Sequence, residues 1–89
     1  MSQIETALHN NAQLVRLLRD EIGLQAHLLK EEARDRLAEL DAGLDQMKAH
    51  LERAAVAGAD VRREAEAAAG LLADSLREGY GRIRDALRS

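Results

Sequence analysis

Apolar residues return every three or four positions from Ile4 to Leu87, and no proline interrupts them. That period places them on one side of an α-helix. With proline absent, glycine is the only strong breaker left, so the fold turns on which glycines end helices. Ala, Leu, Arg and Glu dominate and Tyr80 is the single aromatic, a composition of long helices rather than sheets. The expectation is an all-α chain forming one domain, residues 1–89. At 89 residues it has limited means of burying a large core alone.

The N-terminal third is the most apolar. Ile4, Leu8, Val15, Leu18, Ile22 and Leu29 follow a 4-3 register, with polar Asn11 and Gln25 in the same seam. Leu14, Leu17, Leu24 and Leu28 widen the seam into a broad face, which suits burial among several helices better than a two-stranded coiled coil. Residues 1–29 are therefore expected to associate through Ile4, Leu8, Leu14, Val15, Leu18, Ile22 and Leu29. Ser2 and Glu5 have the spacing of a capping box, and Asn10 offers a second start. Asn11 and Gln25 either fix register as polar residues within the seam or lie at its edge and stay wet.

Farther along, Leu37, Leu40, Leu44, Met47, Leu51 and Ala54 step in heptads, and Leu29 to Leu40 spans an eleven-residue step that relaxes a left-handed supercoil. The phase continues through Gly58 to Val61, Ala65, Ala68, Leu72, Leu76 and Ile83. Continuity alone would favour one helix on the order of 130 Å long. Local chemistry argues for a turn, because Gly58 suits a helix C-terminus and Asp60 suits the cap of a new helix. The small residues after Asp60 gain most when packed closely on a Leu-rich neighbour. The resulting expectation is a helical hairpin within an antiparallel bundle: a helix over about residues 2–56, a turn at Gly58 and Asp60, and a helix over about 60–88. Its arms are 30–57 and 60–88, packing through Leu37, Leu40, Leu44, Met47, Leu51, Val61, Ala65, Ala68, Leu72, Leu76 and Ile83. A single long coiled-coil helix is one alternative. A three-helix bundle with a further turn near Gly23 or within "LDAGLD" (Leu40 to Asp45) is the other. In the hairpin the first helix overhangs the second, and pairing of two overhangs predicts a homodimer.

No catalytic constellation is legible. The six glycines lie singly, outside any phosphate-binding loop, and there is no cysteine. Glu-x-x-His is absent at His9, His27 and His50. His27 with Glu31 supplies two ligands without a third, which reads as a surface pair. The charged stretch Glu31, Glu32, Arg34, Asp35 and Arg36 reads as a solvated face. Neither an enzyme nor a cofactor is expected. Tyr80 is expected at the end of the bundle with its hydroxyl in water.

Residues 1–50 carry nine acids and six bases, and residues 51–89 carry seven of each. Without a basic block, nucleic acid is not an expected partner. The start "MSQIETALHNN" lacks the pattern of a secretory signal. The absence of cysteine is compatible with a reducing cytoplasm, and arginines outnumber lysines eleven to two, as in GC-rich bacterial coding. The expected function is a non-enzymatic interaction module, an adaptor, scaffold or small chaperone that binds itself and a helical protein partner. The alternative is an amphipathic coat on lipid or a hydrophobic granule, against which the lack of Phe and Trp and the near-balanced charge both argue.

Overall fold

The computed structural model describes residues 3–89, with side chains from Glu5 onward. Ser2 of the capping box lies outside the described residues, and the Ile4 side chain, an expected association position, lies outside the described side chains. The chain forms α1 (Gln3–Gly23), a short 3-10 turn (Ala26–Leu28), α2 (Glu31–Val56) and α3 (Ala59–Arg88). Among the described residues there is no strand, and the fold is an all-α helical bundle. Its extents are 44 × 21 × 16 Å. The 30 residues of α3, at 1.5 Å each, account for the long dimension.

The expected first helix over 2–56 is divided in two. Gly23 ends α1, and Gln25 N–H donates to the Ile22 carbonyl at 3.0 Å as the chain tightens. Leu28 and Leu29 N–H groups continue this with bonds to Gln25 and Ala26 carbonyls at 3.0 and 3.1 Å. Leu29 then adopts extended backbone and buries its side chain, which pins the turn to the core. The eleven-residue step from Leu29 to Leu40 therefore marks a change of direction rather than a relaxed supercoil. Lys30 caps α2 through backbone geometry alone, with Glu31 and Glu32 in the first turn where the helix dipole favours acids.

A turn does occur at Gly58, with a different chemistry from the one its sequence suggests. Gly58 is the N-cap of α3, with φ −70° and ψ 173°, and its carbonyl accepts the first helical bond from Arg62 N–H at 2.9 Å. It needs no left-handed backbone. Asp60 lies inside the first turn of α3, its side chain almost fully exposed, 3.7 Å from Arg63.

Two pairs of contacts set the topology. A Cβ at Gly79 would fall 2.5 Å from Leu40, and one at Gly43 would fall 3.2 Å from Leu76, so α2 and α3 are antiparallel. Leu8 faces Gly70, and Asn11 Nδ2 donates to Asp74 Oδ1 at 2.9 Å, so α1 runs parallel to α3. The path is up, down, up.

α3 packs along both other helices, and its sequence explains why. Ala65, Ala69 and Ala73 are fully buried, and such small side chains let two neighbours approach closely. The core continues through Leu37, Leu40, Leu44 and Met47 of α2 and Leu76, Tyr80 and Ile83 of α3. Contact with two helices rotates the buried arc of α3 by about one position. The expected packing residues Ala68 and Leu72 are half-buried, beside fully buried Ala69 and Ala73. Leu51 is half-buried, and Val61, at the end of the bundle, is exposed rather than packed.

The expected association face also changes role. Val15, Leu18, Ile22 and Leu29 are buried in the core of their own chain, and Leu8 packs at its edge. Leu14 is left exposed. By turning at Gly23, the chain covers with α3 what an unbroken first helix would have left for a second copy.

Candidate interaction surface

One end of the bundle is well filled and the other is open. Toward the closed end, α1 contributes Val15, Leu18 and Ile22, and α3 contributes Leu76, Tyr80 and Ile83. A polar clamp joins all three helices there. Arg19 of α1 makes a bidentate pair with Asp41 of α2, Nε to Oδ1 at 2.6 Å and Nη2 to Oδ2 at 3.0 Å. The Tyr80 hydroxyl of α3 donates to the same Asp41 Oδ1 at 2.7 Å. Burial and the Asp41 carboxylate push the Tyr80 hydroxyl well above its ordinary pKa, while Arg19 pulls weakly the other way. The bond to Asp41 holds Arg19 more firmly protonated, against the desolvation it suffers. Tyr80 is therefore a fully buried stitch between helices, and its hydroxyl is bonded to Asp41 rather than standing in water as expected.

This clamp has the form of a structural device. Its three groups satisfy one another's hydrogen bonds across the three helices, with Asp41 the shared acceptor. Sequence reading missed Arg19 and Asp41 as partners. The available signal was an Asp in mid-helix beside the Leu40–Leu44 seam, where Asp is a poor helix former.

At the open end, α1 and α3 flank a groove of about 830 Å³. Leu8, Ala67, Gly70 and Leu71 supply its apolar lining, with Arg63 and Asp74 at its polar margins. The sequence explains the opening. Ala67 and Gly70 are too small to fill the space beside Ala7 and Leu8, and Leu71 points away from the core with 74% exposure. Asn11 reaches across the groove to Asp74 while its own Oδ1 is shielded from solvent without a protein donor. Its place in the seam is thus a half-buried inter-helix contact. Gln25, the other polar seam residue, lies exposed in the turn after α1.

A second exposed apolar set runs down the outside of α1 and its following turn: Leu14, Leu17, Leu24 and Leu28. These residues widened the N-terminal seam in the sequence, and the structure leaves them facing outward. Among the described residues, no group of His, Cys, Asp and Glu could hold a metal ion, and no helix is long and apolar enough to cross a membrane.

No protein-family model matches the chain, and neither a curated protein nor a solved structure matches it.

Proposed function

We propose that this chain is a non-enzymatic helical interaction module that associates with itself and offers a groove to a helical segment. The observation that carries this reading is the open groove between α1 and α3, apolar along Leu8, Ala67, Gly70 and Leu71 with charges at its margins. A three-helix bundle with one such groove has the shape that accepts one more amphipathic helix, which is how helix-in-groove recognition works. The clamp at the other end supports the reading from a different direction. It commits the chain's conspicuous polar residues to holding the helices together, which leaves the groove as the place for recognition.

Sedimentation equilibrium over a range of concentrations tests the proposal. Reversible association is the expected result. A chain that stays monomeric at hundreds of micromolar would overturn the self-associating part.

A second reading, a coat on lipid or a hydrophobic granule, is favoured by the outward row Leu14, Leu17, Leu24 and Leu28. Interfacial helices usually carry aromatic residues on the apolar side and many basic residues on the polar side. This chain has one aromatic, Tyr80, and its hydroxyl and ring are committed to the core. Flotation with anionic vesicles separates the two readings, since recovery of the protein with the vesicles in place of a free oligomer would replace the first by the second.

A further inference from the structure

We infer that the occupant of the α1–α3 groove is α3 of a second copy, lying antiparallel to the first and locked by reciprocal Arg63–Asp74 ion pairs. This rests on the self-associating reading above and assigns it a surface and a register.

The argument starts from the outward face of α3. At 100° per residue, Arg63, Ala67, Gly70 and Asp74 fall on one stripe. All four line the groove. The stripe carries a base at its N-terminal end, an acid at its C-terminal end and two small residues between. That order is self-complementary under a two-fold axis. With the axis at the level of Ala68 and Ala69, Arg63 lies opposite Asp74 of the second copy, and Ala67 lies opposite Gly70. The same axis repeats both matches on the other side, as an isologous interface demands. A parallel pairing would set Arg63 against Arg63 and Asp74 against Asp74.

The side chains are arranged to suit this pairing. Among the described residues, Arg63 is engaged only by a long, exposed contact of 3.7 Å to Asp60. Such a contact contributes little and leaves the guanidinium available. Asp74 is held in place by Asn11 through Oδ1, and its second oxygen takes no ion pair among the described residues. An Arg presented to a carboxylate already oriented in this way forms a charge-assisted bond with less ordering cost. Ala67 and Gly70 permit the two helix backbones to come close. Leu71, at 74% exposure, then falls on the same side of the helix pair as Leu71 of the second copy, where the two cover each other.

The interface implied is modest. Overlap from about Ala59 to Glu78 buries on the order of 1,000 Å² in total, near the lower bound for a specific complex. The dimer should therefore dissociate in the micromolar range, and more readily as salt screens its exposed ion pairs.

The test is sedimentation equilibrium on the full chain and a set of variants, with circular dichroism confirming that each retains its helices. Leu71→Glu should weaken dimerisation by at least about tenfold, because it places two like charges where two leucines met. Arg63→Asp alone should weaken it similarly, and Arg63→Asp combined with Asp74→Arg should restore it to within a few-fold of the native value. Leu17→Glu, on the outer face of α1, should leave it unchanged. Retention of the dimer in Leu71→Glu together with its loss in Leu17→Glu would overturn this register while self-association stood. Failure of the charge exchange to rescue a variant that remains helical would also overturn it. A strictly monomeric native chain would remove both this inference and the self-associating reading beneath it.

Discussion

Two glycines of α3 separated by one helix position should respond in opposite directions to the same substitution. Replacing either Gly79 or Gly81 with Ala removes the conformational freedom of glycine from a helix interior, a change that favours the folded state by about 1 kcal/mol where nothing else is altered. Around Gly81 there is open space for the added methyl. Gly81→Ala should therefore show most of that gain, roughly 0.5–1 kcal/mol. At Gly79 the added Cβ would stand 2.5 Å from Leu40 Cδ2, 3.1 Å from Cδ1 and 3.4 Å from Cγ. The whole isobutyl group must move, and Leu40 is buried in the core between α2 and α3. Overpacking of this kind costs about 1–3 kcal/mol, which offsets the propensity gain and leaves a net loss of up to about 2 kcal/mol. For a domain of this size 1 kcal/mol corresponds to roughly 4–8 °C in Tm. Thermal melts followed at 222 nm should thus place Gly81→Ala above the native chain and Gly79→Ala below it. A Tm for Gly79→Ala equal to or above that of Gly81→Ala would show that α2 and α3 do not meet through Leu40 and Gly79.

The clamp makes its own predictions. Tyr80 is the only tyrosine, so its phenolate absorbance near 295 nm reports the clamp directly and should not appear until well above the ordinary tyrosine value of 10.0 in the folded chain. The raised pKa means that the unfolded chain loses this proton first, so the stability contributed by the Tyr80 hydroxyl is intact below pH 10 and falls as pH rises from there. Tyr80→Phe should remove that alkaline component in denaturant titrations at different pH, and should cost about 1 kcal/mol near neutrality. Asp41→Ala should cost more, on the order of 2 kcal/mol, since it strands both the Tyr80 hydroxyl and Arg19; the same titrations check it, and a smaller loss than that of Tyr80→Phe would contradict the shared-acceptor geometry. Gly58→Asp should stabilise the chain by a few tenths of a kcal/mol, roughly 0.2–0.5, in thermal melts, because an Ncap with φ −70° accepts any residue and a carboxylate can bond the first free amides of α3 where glycine offers none.

How much of this was legible in the sequence follows from what each residue can report alone. The helical period marked Leu37, Leu40, Leu44, Met47, Leu76 and Ile83 as core because each has one buried direction to announce. The turn at Gly58 was legible from composition, although its geometry was not: a glycine with φ −70° has the same letter as one in the left-handed region. The break after Gly23 was weaker still. Neither Pro nor a side-chain cap marks it, since Lys30 begins α2 through backbone conformation only. Its traces were Gly23 itself, the site of the further turn in the three-helix alternative, and the 4-4-3 spacing from Leu29, a phase shift that a bent coiled coil explains equally well.

The clamp and the groove were hidden for a common reason. Both depend on which residues of distant helices fall at the same height, and that follows from where the chain turns. With an unbroken first helix, Arg19 and Asp41 sit some 33 Å apart along one axis at 1.5 Å per residue. Once Gly23 ends α1, they meet at 2.6 Å, and Tyr80 closes on them from α3. The same fold-back brings Leu8 to Gly70 and Asn11 to Asp74, and so creates a groove whose α3 wall carries Arg63 and Asp74 in a two-fold order. The N-terminal apolar residues, which by sequence called for a partner chain, are thereby divided. Val15, Leu18 and Ile22 are satisfied at home, while the small residues of α3, chosen for close approach to two helices, retain on their third side the room for another.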